Sequence, residues 1–360
     1  MRPTIRNDAL RPGKSGLIDG DGDSAGRGSY LLLSTATGFV ELGAVIGSLL
    51  AGCSQATVLV IALLYQIGAI FANPLRLPYG AYVACAGIAV VCAAVATQLQ
   101  VFLLPAVIFF AVGTQGIRDA VLARHPVSTF AKRVSRVMGF ALGGYFSLWG
   151  LTTATIGVLA IGLLRGVRKK VHHDVTVPSG TGASKPWCIA MLVHQMHYFA
   201  YAYTLPPLFV RDYGFGTASG VAFALGWVTY SGAPSILRKL PDFVVVTIGH
   251  GVVALLLVSM AINHGSSTWV MIAWCATGLG GGTVYGIRRL AHGDNAQARN
   301  NMDGWENIGH VGGVLVALAL VLAEEDATIL FMAGGVLALL VIPLVANARL
   351  RGLRKSAVAR

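Results

Sequence analysis

Residues 151–187 read LTTATIGVLAIGLLRGVRKKVHHDVTVPSGTGASKPW. An apolar run ends at Arg165, the basic trio Arg168-Lys169-Lys170 follows, and a polar stretch through Pro178-Ser179-Gly180-Thr181-Gly182 precedes the next apolar run at Trp187. It is the longest polar interruption after the N-terminal tail, and its composition is that of a linker between domains. Outward from it lie six apolar runs on each side: 30–52, 56–73, 79–97, 101–122, 133–149 and 151–167 before, and 187–207, 215–236, 243–262, 268–287, 303–323 and 327–347 after. Most approach the ~20 residues a helix needs to cross a bilayer.

The charges orient these runs. Of 27 Lys and Arg residues, all but Arg211 fall in the two tails or in alternate gaps between runs. Basic loops stay on the cytoplasmic side because translocating them is costly. An even number of crossings with both ends inside follows. Residues 133–167 hold two crossings rather than one, because a single crossing would put Lys132–Arg136 and Arg165–Lys170 on opposite faces; two short helices meeting near Gly150 keep both inside. The acidic Glu324, Glu325 and Asp326 sit in the last outward gap, on the opposite face. The predicted fold is therefore an all-α membrane protein of twelve transmembrane helices in two six-helix, pseudo-symmetric halves. Its parts are a disordered cytoplasmic tail (1–29), an N-terminal half (30–167), a cytoplasmic linker (168–186), a C-terminal half (187–348) and a basic tail (349–360).

Composition narrows the function classes. Charged residues are 12% of the chain and mean hydropathy is +0.68, whereas soluble domains are about a quarter charged. The net charge of +12 sits in juxtamembrane loops, which the topology explains without nucleic acid. Cys53, Cys85, Cys92, Cys188 and Cys275 show neither CxxC nor metal-ligand spacing. Residues 1–29 lack the apolar core and cleavage site of a secretory signal. No GxxxxGK[ST], GxSxG or HExxH occurs, so no catalytic residues, enzymatic activity or cofactor is expected. The run Gly278-Leu279-Gly280-Gly281-Gly282 lies inside a membrane segment, where small residues allow close helix approach.

An internal repeat accompanies the division. Gly116-Ile117-Arg118 and Gly286-Ile287-Arg288 share an offset of 170 residues (116 to 286) with Gly139/Gly143 and Gly309/Gly313 (139 to 309). Two like-oriented six-helix units form the parallel repeat of some transporters, with substrate bound at their interface. The layout over about residues 30–350 resembles the major facilitator superfamily, with its twelve helices, two halves and central basic linker. The family's usual loop between its second and third helices reads Gly-x-x-x-Asp-Arg-x-Gly-Arg-Arg. Here that loop is Asn73-Pro74-Leu75-Arg76-Leu77-Pro78-Tyr79-Gly80, without the acidic residue; its second-half equivalent, Gly232 through Arg238-Lys239, keeps a glycine and a basic pair. The resemblance implies that the first helix of each half lines a central cavity.

Polar residues inside apolar runs mark that cavity, because an ionisable group in lipid is expensive. Glu41, mid-way along the first run, is the candidate proton-coupling carboxylate; static pairing with a polar neighbour is the bland alternative. In the seventh run His194, His197, Tyr198 and Tyr201 fall on one broad helical face and are candidates for substrate binding, with Gln66 in support. A proton relay with Glu41, or hydrogen bonds that merely pack helices, would use the same residues. Two histidines without a carboxylate or thiol are too few ligands for a permanent metal site, so none is expected. Trp149, Trp227, Tyr230 and His250 read mainly as packing or interface anchors. Arg118, Arg136, Arg288, Glu306 and His310 lie near the cytoplasmic ends of their runs and could form a gate of acid–base pairs or an ordinary interfacial charge network.

These features predict a secondary active transporter of the cell inner membrane that exports a small polar organic solute, such as a metallophore or siderophore, by proton-coupled alternating access. Its partners would be protons, the solute and the bilayer, with no nucleic acid, and the protein would act as a monomer. Multidrug efflux, solute:proton symport and a non-transporting receptor or assembly protein share the same architecture. The topology is tested by single-cysteine labelling in a cysteine-free background. A cysteine at Glu325 should react from outside intact cells and one at Lys169 only after permeabilisation; labelling of both from one face overturns the layout.

Overall fold

The backbone cannot leave its N–H and C=O groups unpaired in hydrocarbon, so a chain this apolar is confined to helices or a closed barrel. The computed structural model, which describes residues 20–72, 77–125, 127–166, 185–292, 296–323 and 326–358, is all helix and shows no strand among them. The loop Asn73–Arg76, most of the linker, and Glu324 with Glu325 lie outside the described residues. Before the linker come α1 (Gly20–Leu50), α2 (Gln55–Ala72), α3 (Tyr79–Ala96), α4 (Leu103–Arg124), α5 (Thr129–Gly143) and α6 (Leu148–Gly166). After it come α7 (Lys185–Ala202), α8 (Ser219–Leu237), α9 (Asp242–Ile262), α10, α11 (Ala296–Leu322) and α12 (Ala327–Val358). The tenth, α10, consists of Ser267–Thr277 and Gly281–His292 joined by a 3₁₀ turn over Gly278–Gly280.

Eight of these segments are long and apolar enough to cross a membrane, and α2 contributes a shorter apolar stretch over Gln55–Ile70. Helices α5, α7 and α8 are not among the eight. Of these, α5 and α7 carry polar side chains toward the interior of the bundle, which a helix shielded by its neighbours can do.

Several boundaries differ from the sequence reading, among them those of α11, which begins at Ala296 before its run at 303, and α12, which continues to Val358 through most of the segment read as a basic tail. Helix α1 starts at Gly20, ten residues before its apolar run, so part of the segment expected to be a disordered tail is helical. Ser29 Oγ in that extension accepts from Arg165 Nε at 3.0 Å, which ties it to the end of α6. The junction of α5 and α6 falls at residues 144–147, not at Gly150. Ser147 supplies the reason: its Oγ accepts from the Gly150 N–H at 3.0 Å and caps α6 there. Ser54, Ser128, Ser266 and Asp326 cap α2, α5, α10 and α12 in the same way.

Packing repeats along the chain. The pair α1–α5 is matched by α7–α11, α3–α4 by α9–α10, and α3–α6 by α9–α12. Contacts between the part before the linker and the part after it run mainly through α5–α8 and α2–α11. A shift of six helices exchanges those two pairs. The repeated glycines account for the closest approaches. A Cβ on Gly139 would run into Thr35 O and Gly38 of α1, and one on Gly309 into Leu192 O and Gln195 of α7. The largest buried cluster joins both parts, with Leu42, Phe140 and Val45 against Tyr198, Phe223 and Trp274.

Gly139→Leu should therefore lower stability by about 1–3 kcal/mol through overpacking. Gly157→Leu, where a Cβ meets nothing within 4 Å, should leave it unchanged. Thermal unfolding in detergent compares the two, and equal midpoints would contradict the packing described.

Candidate functional site

Glu41 lies on α1 between Val40 and Leu42 and is 5% exposed. A carboxylate there needs charge-assisted partners. The glycine contact between α1 and α5 supplies the first, because a Cβ on Gly38 would strike the Arg136 carbonyl. With the backbones that close, Arg136 Nη2 reaches Glu41 Oε2 at 2.5 Å. Gln66 on α2 donates from Nε2 to Glu41 Oε1 at 2.9 Å and to the Tyr203 hydroxyl at 3.1 Å. Tyr203, just past the end of α7, also donates to Glu41 Oε1 at 3.5 Å. One carboxylate thus gathers α1, α2, α5 and the end of α7, from both sides of the linker.

Aromatic faces flank Arg136, whose buried Nε has no hydrogen-bond partner. Its guanidinium lies 5.6 Å from the Phe140 ring centroid and 5.8 Å from that of Trp227 on α8. Beside the pair is a cavity of about 10 Å³, lined by Glu41, Phe140, Tyr198, Tyr203, Phe223 and Trp227 among others. That is room for about one water. A cavity of about 420 Å³ lies elsewhere, near the ends of α1, α2 and α4, and its lining is mostly apolar.

Bonds that cross the linker division lie toward both ends of the bundle. At the basic end Arg133 of α5 donates to Ser231 O of α8 and to the Tyr285 hydroxyl of α10. At the opposite end Arg211, in the π turn Leu208–Asp212 that extends α7, donates to Cys53 O.

The seventh-helix cluster divides. Tyr198 faces the cavity, while Tyr201 packs against Trp274 at 6.1 Å between centroids. His194 and His197 turn instead toward His250 of α9. His194 Nδ1 is 2.8 Å from His250 Nε2, and His250 Nδ1 donates to Val246 O at 2.6 Å. The His197 ring stands 4.9 Å from that of His194 and 5.4 Å from that of His250. The expectation of no metal ligand set counted two histidines; the fold adds a third.

Of the expected gate residues, Arg288 pairs with Glu306, and His310 packs on Phe199 at 4.1 Å between ring centroids with Arg136 and Arg288 in electrostatic reach; Arg136 itself serves Glu41, and Arg118 donates to Gln115 Oε1. Gln66, Glu41 and Arg136 are brought together. Sequence reasoning passed over Tyr203, Arg133, Arg211 and His250 as site residues. Arg211 had a signal, being the lone basic residue outside the basic gaps, and so did His250, a polar residue mid-run. Nothing in the sequence singles out Arg133 from Lys132 or Arg136.

Removing Arg136 alone strands the carboxylate. Arg136→Ala should cost about 3 kcal/mol in unfolding, and Glu41→Gln combined with Arg136→Gln should cost less than Arg136→Ala. Chemical denaturation of the three proteins decides it, and additive losses would contradict the pairing.

No protein-family model and no curated protein matches the chain. Solved structures do. The nucleoside transporter NupG aligns at TM-score 0.63 with 10% identity, covering 89% of this chain and 96% of that one. An autoinhibited POT family peptide transporter aligns at 0.62 with 12% identity, covering 91% and 97%. A bacterial metal transporter aligns at 0.61 with 14% identity, covering 91% and 98%. At these identities the likeness shows a shared fold, the one these transporters have.

Proposed function

We propose that this chain is a proton-coupled secondary transporter of the inner membrane that exports a small polar solute carrying both an amine and a carboxylate. Amino-polycarboxylate chelators such as metallophores belong to that class. The observation that carries the reading is the Glu41–Arg136 pair, whose buried carboxylate lines a cavity that helices from both sides of the linker enclose. In this reading the repeated packing reflects two six-helix halves of twelve crossings. The basic loops and both termini face the cytoplasm.

The chemistry follows from the pair. A zwitterionic solute can insert between the two charges, its ammonium on Glu41 and its carboxylate on Arg136. A proton on Glu41 removes the partner of the ammonium, so proton and solute compete for one carboxylate. Competition of that kind exchanges one for the other across the membrane. Opening the Arg133 bonds exposes the cavity to the cytoplasm, and opening Arg211–Cys53 exposes it to the outside. Gln66 and Tyr203 report the state of Glu41 to α2 and α7, because both bond the same oxygen. Uptake with a proton is the second reading, favoured by the way Arg136 sits against the cavity-lining rings of Phe140 and Trp227. There a carboxylate alone would take Arg136 while Glu41 is protonated.

Proteoliposomes containing a pH-sensitive dye separate the readings. Challenged with amino acids and amino-polycarboxylate chelators, the wild-type protein should move protons opposite to the transported solute, and Glu41→Gln should abolish that movement. Solute accumulation driven by an imposed pH gradient in Glu41→Gln would refute the role of Glu41, and proton movement along with the solute would establish symport.

A further inference from the structure

His194, His197 and His250 each present a ring nitrogen, and the three lie within 4.8 Å of one another; all three residues are buried, at 3%, 3% and 1% exposure. Tautomers can be assigned from the bonds. His250 Nδ1 faces the Val246 carbonyl at 2.6 Å, so Nδ1 carries the hydrogen. In neutral His250 the lone pair is then on Nε2, and it accepts from His194 Nδ1–H at 2.8 Å. His197 Nδ1 is buried with no hydrogen-bond partner.

We infer that these three side chains form a binding site for a divalent transition-metal ion, such as Zn²⁺, Co²⁺ or Ni²⁺, with one coordination position left open. Imidazole nitrogens suit ions of this class. Three protein ligands with an open fourth position are an established zinc arrangement. The bond from His250 Nδ1 to a backbone carbonyl is the outer interaction that metal-ligating histidines use to fix the ring and aim the other nitrogen. Nitrogens around a tetrahedral ion with bonds of about 2.0–2.1 Å stand roughly 3.3 Å apart. The 2.8 Å contact between His194 and His250 is tighter than that, so an ion enters with a small separation of the rings, and the hydrogen on His194 Nδ1 passes to its Nε2 as that ring changes tautomer. His197 completes the set with one of its own ring nitrogens.

The histidines stand at the same depth on α7 and α9, and an ion held between them would cross-link the two helices. Its open position could take water or a donor atom from a chelating solute. The inference goes beyond the transport reading and stands without it, since it uses neither Glu41 nor any movement of protons.

The test uses full-length protein purified in detergent without a polyhistidine tag, stripped with chelator and titrated with Co²⁺. Wild type should bind one equivalent with the visible absorption of four-coordinate Co²⁺, and Zn²⁺ should displace it. His250→Ala should weaken binding on the order of 100-fold, and His197→Ala should do the same. The thermal midpoint of each variant in detergent, measured beside its Co²⁺ titration, separates lost ligation from lost folding. His264→Ala, a histidine outside the cluster whose Nδ1 lies at the Ala261 carbonyl, should bind as wild type does. No Co²⁺ bound by wild type, or unchanged affinity in His197→Ala, overturns the proposal. Either outcome leaves the role of Glu41 to be judged by proton movement alone.

Discussion

A carboxylate placed half-way through an apolar helix must find a positive partner, and the rest of the interior follows from how Glu41 finds one. Leaving it charged and alone would cost about 3 kcal/mol or more in the middle of a bilayer. The pairing needs α1 and α5 almost backbone to backbone, which Gly38, Gly43, Gly139 and Gly143 permit. Only then does Arg136 span the gap. Gln66 and Tyr203 satisfy the other carboxylate oxygen, and in doing so they bring α2 and the end of α7 to the same point. A single buried charge thus specifies the relative position of four segments.

The same glycine device recurs after the linker. Gly309 and Gly313 bring α11 against α7 as Gly139 and Gly143 bring α5 against α1. What differs is the cargo of each close pair. In the first it is an acid and a base; in the second, α7 presents two histidines to a third on α9. The interior therefore has two chemically distinct polar centres, with Tyr198 and Tyr203 of the α7 segment facing the first and His194 and His197 the second. Movement of α7 is felt at both.

Much of this architecture was legible in the sequence, because its causes are local. Hydrophobic run lengths and the placement of basic residues need no tertiary information, and the glycine repeat reads directly as the close helix pairs. Glu41 and Gln66 could be picked out because polar atoms in lipid demand explanation. The helix-end bonds could not. Whether Arg133 or Arg136 points inward depends on the rotation of α5 about its axis, and its glycine face decides that only once α1 is in place. Helical spacing put His194, His197, Tyr198 and Tyr201 on one arc, but an arc of that width meets several neighbours. Which of them it meets is set by α9, α10 and the rings of Trp227 and Trp274. His250 was read as packing because its partners lie more than fifty positions away in the chain.

The central claim is that the two ends of the bundle open alternately around the Glu41–Arg136 pair. Spin-label distances across each end measure this directly, with labels at Ser54 and Asp212 on one side and at Ser128 and Ser235 on the other. Glu41→Gln, which removes the charge that holds Arg136, should shift the two distances in opposite directions relative to wild type. Distances at both ends that are the same in Glu41→Gln and wild type, or that lengthen together, would contradict alternating access.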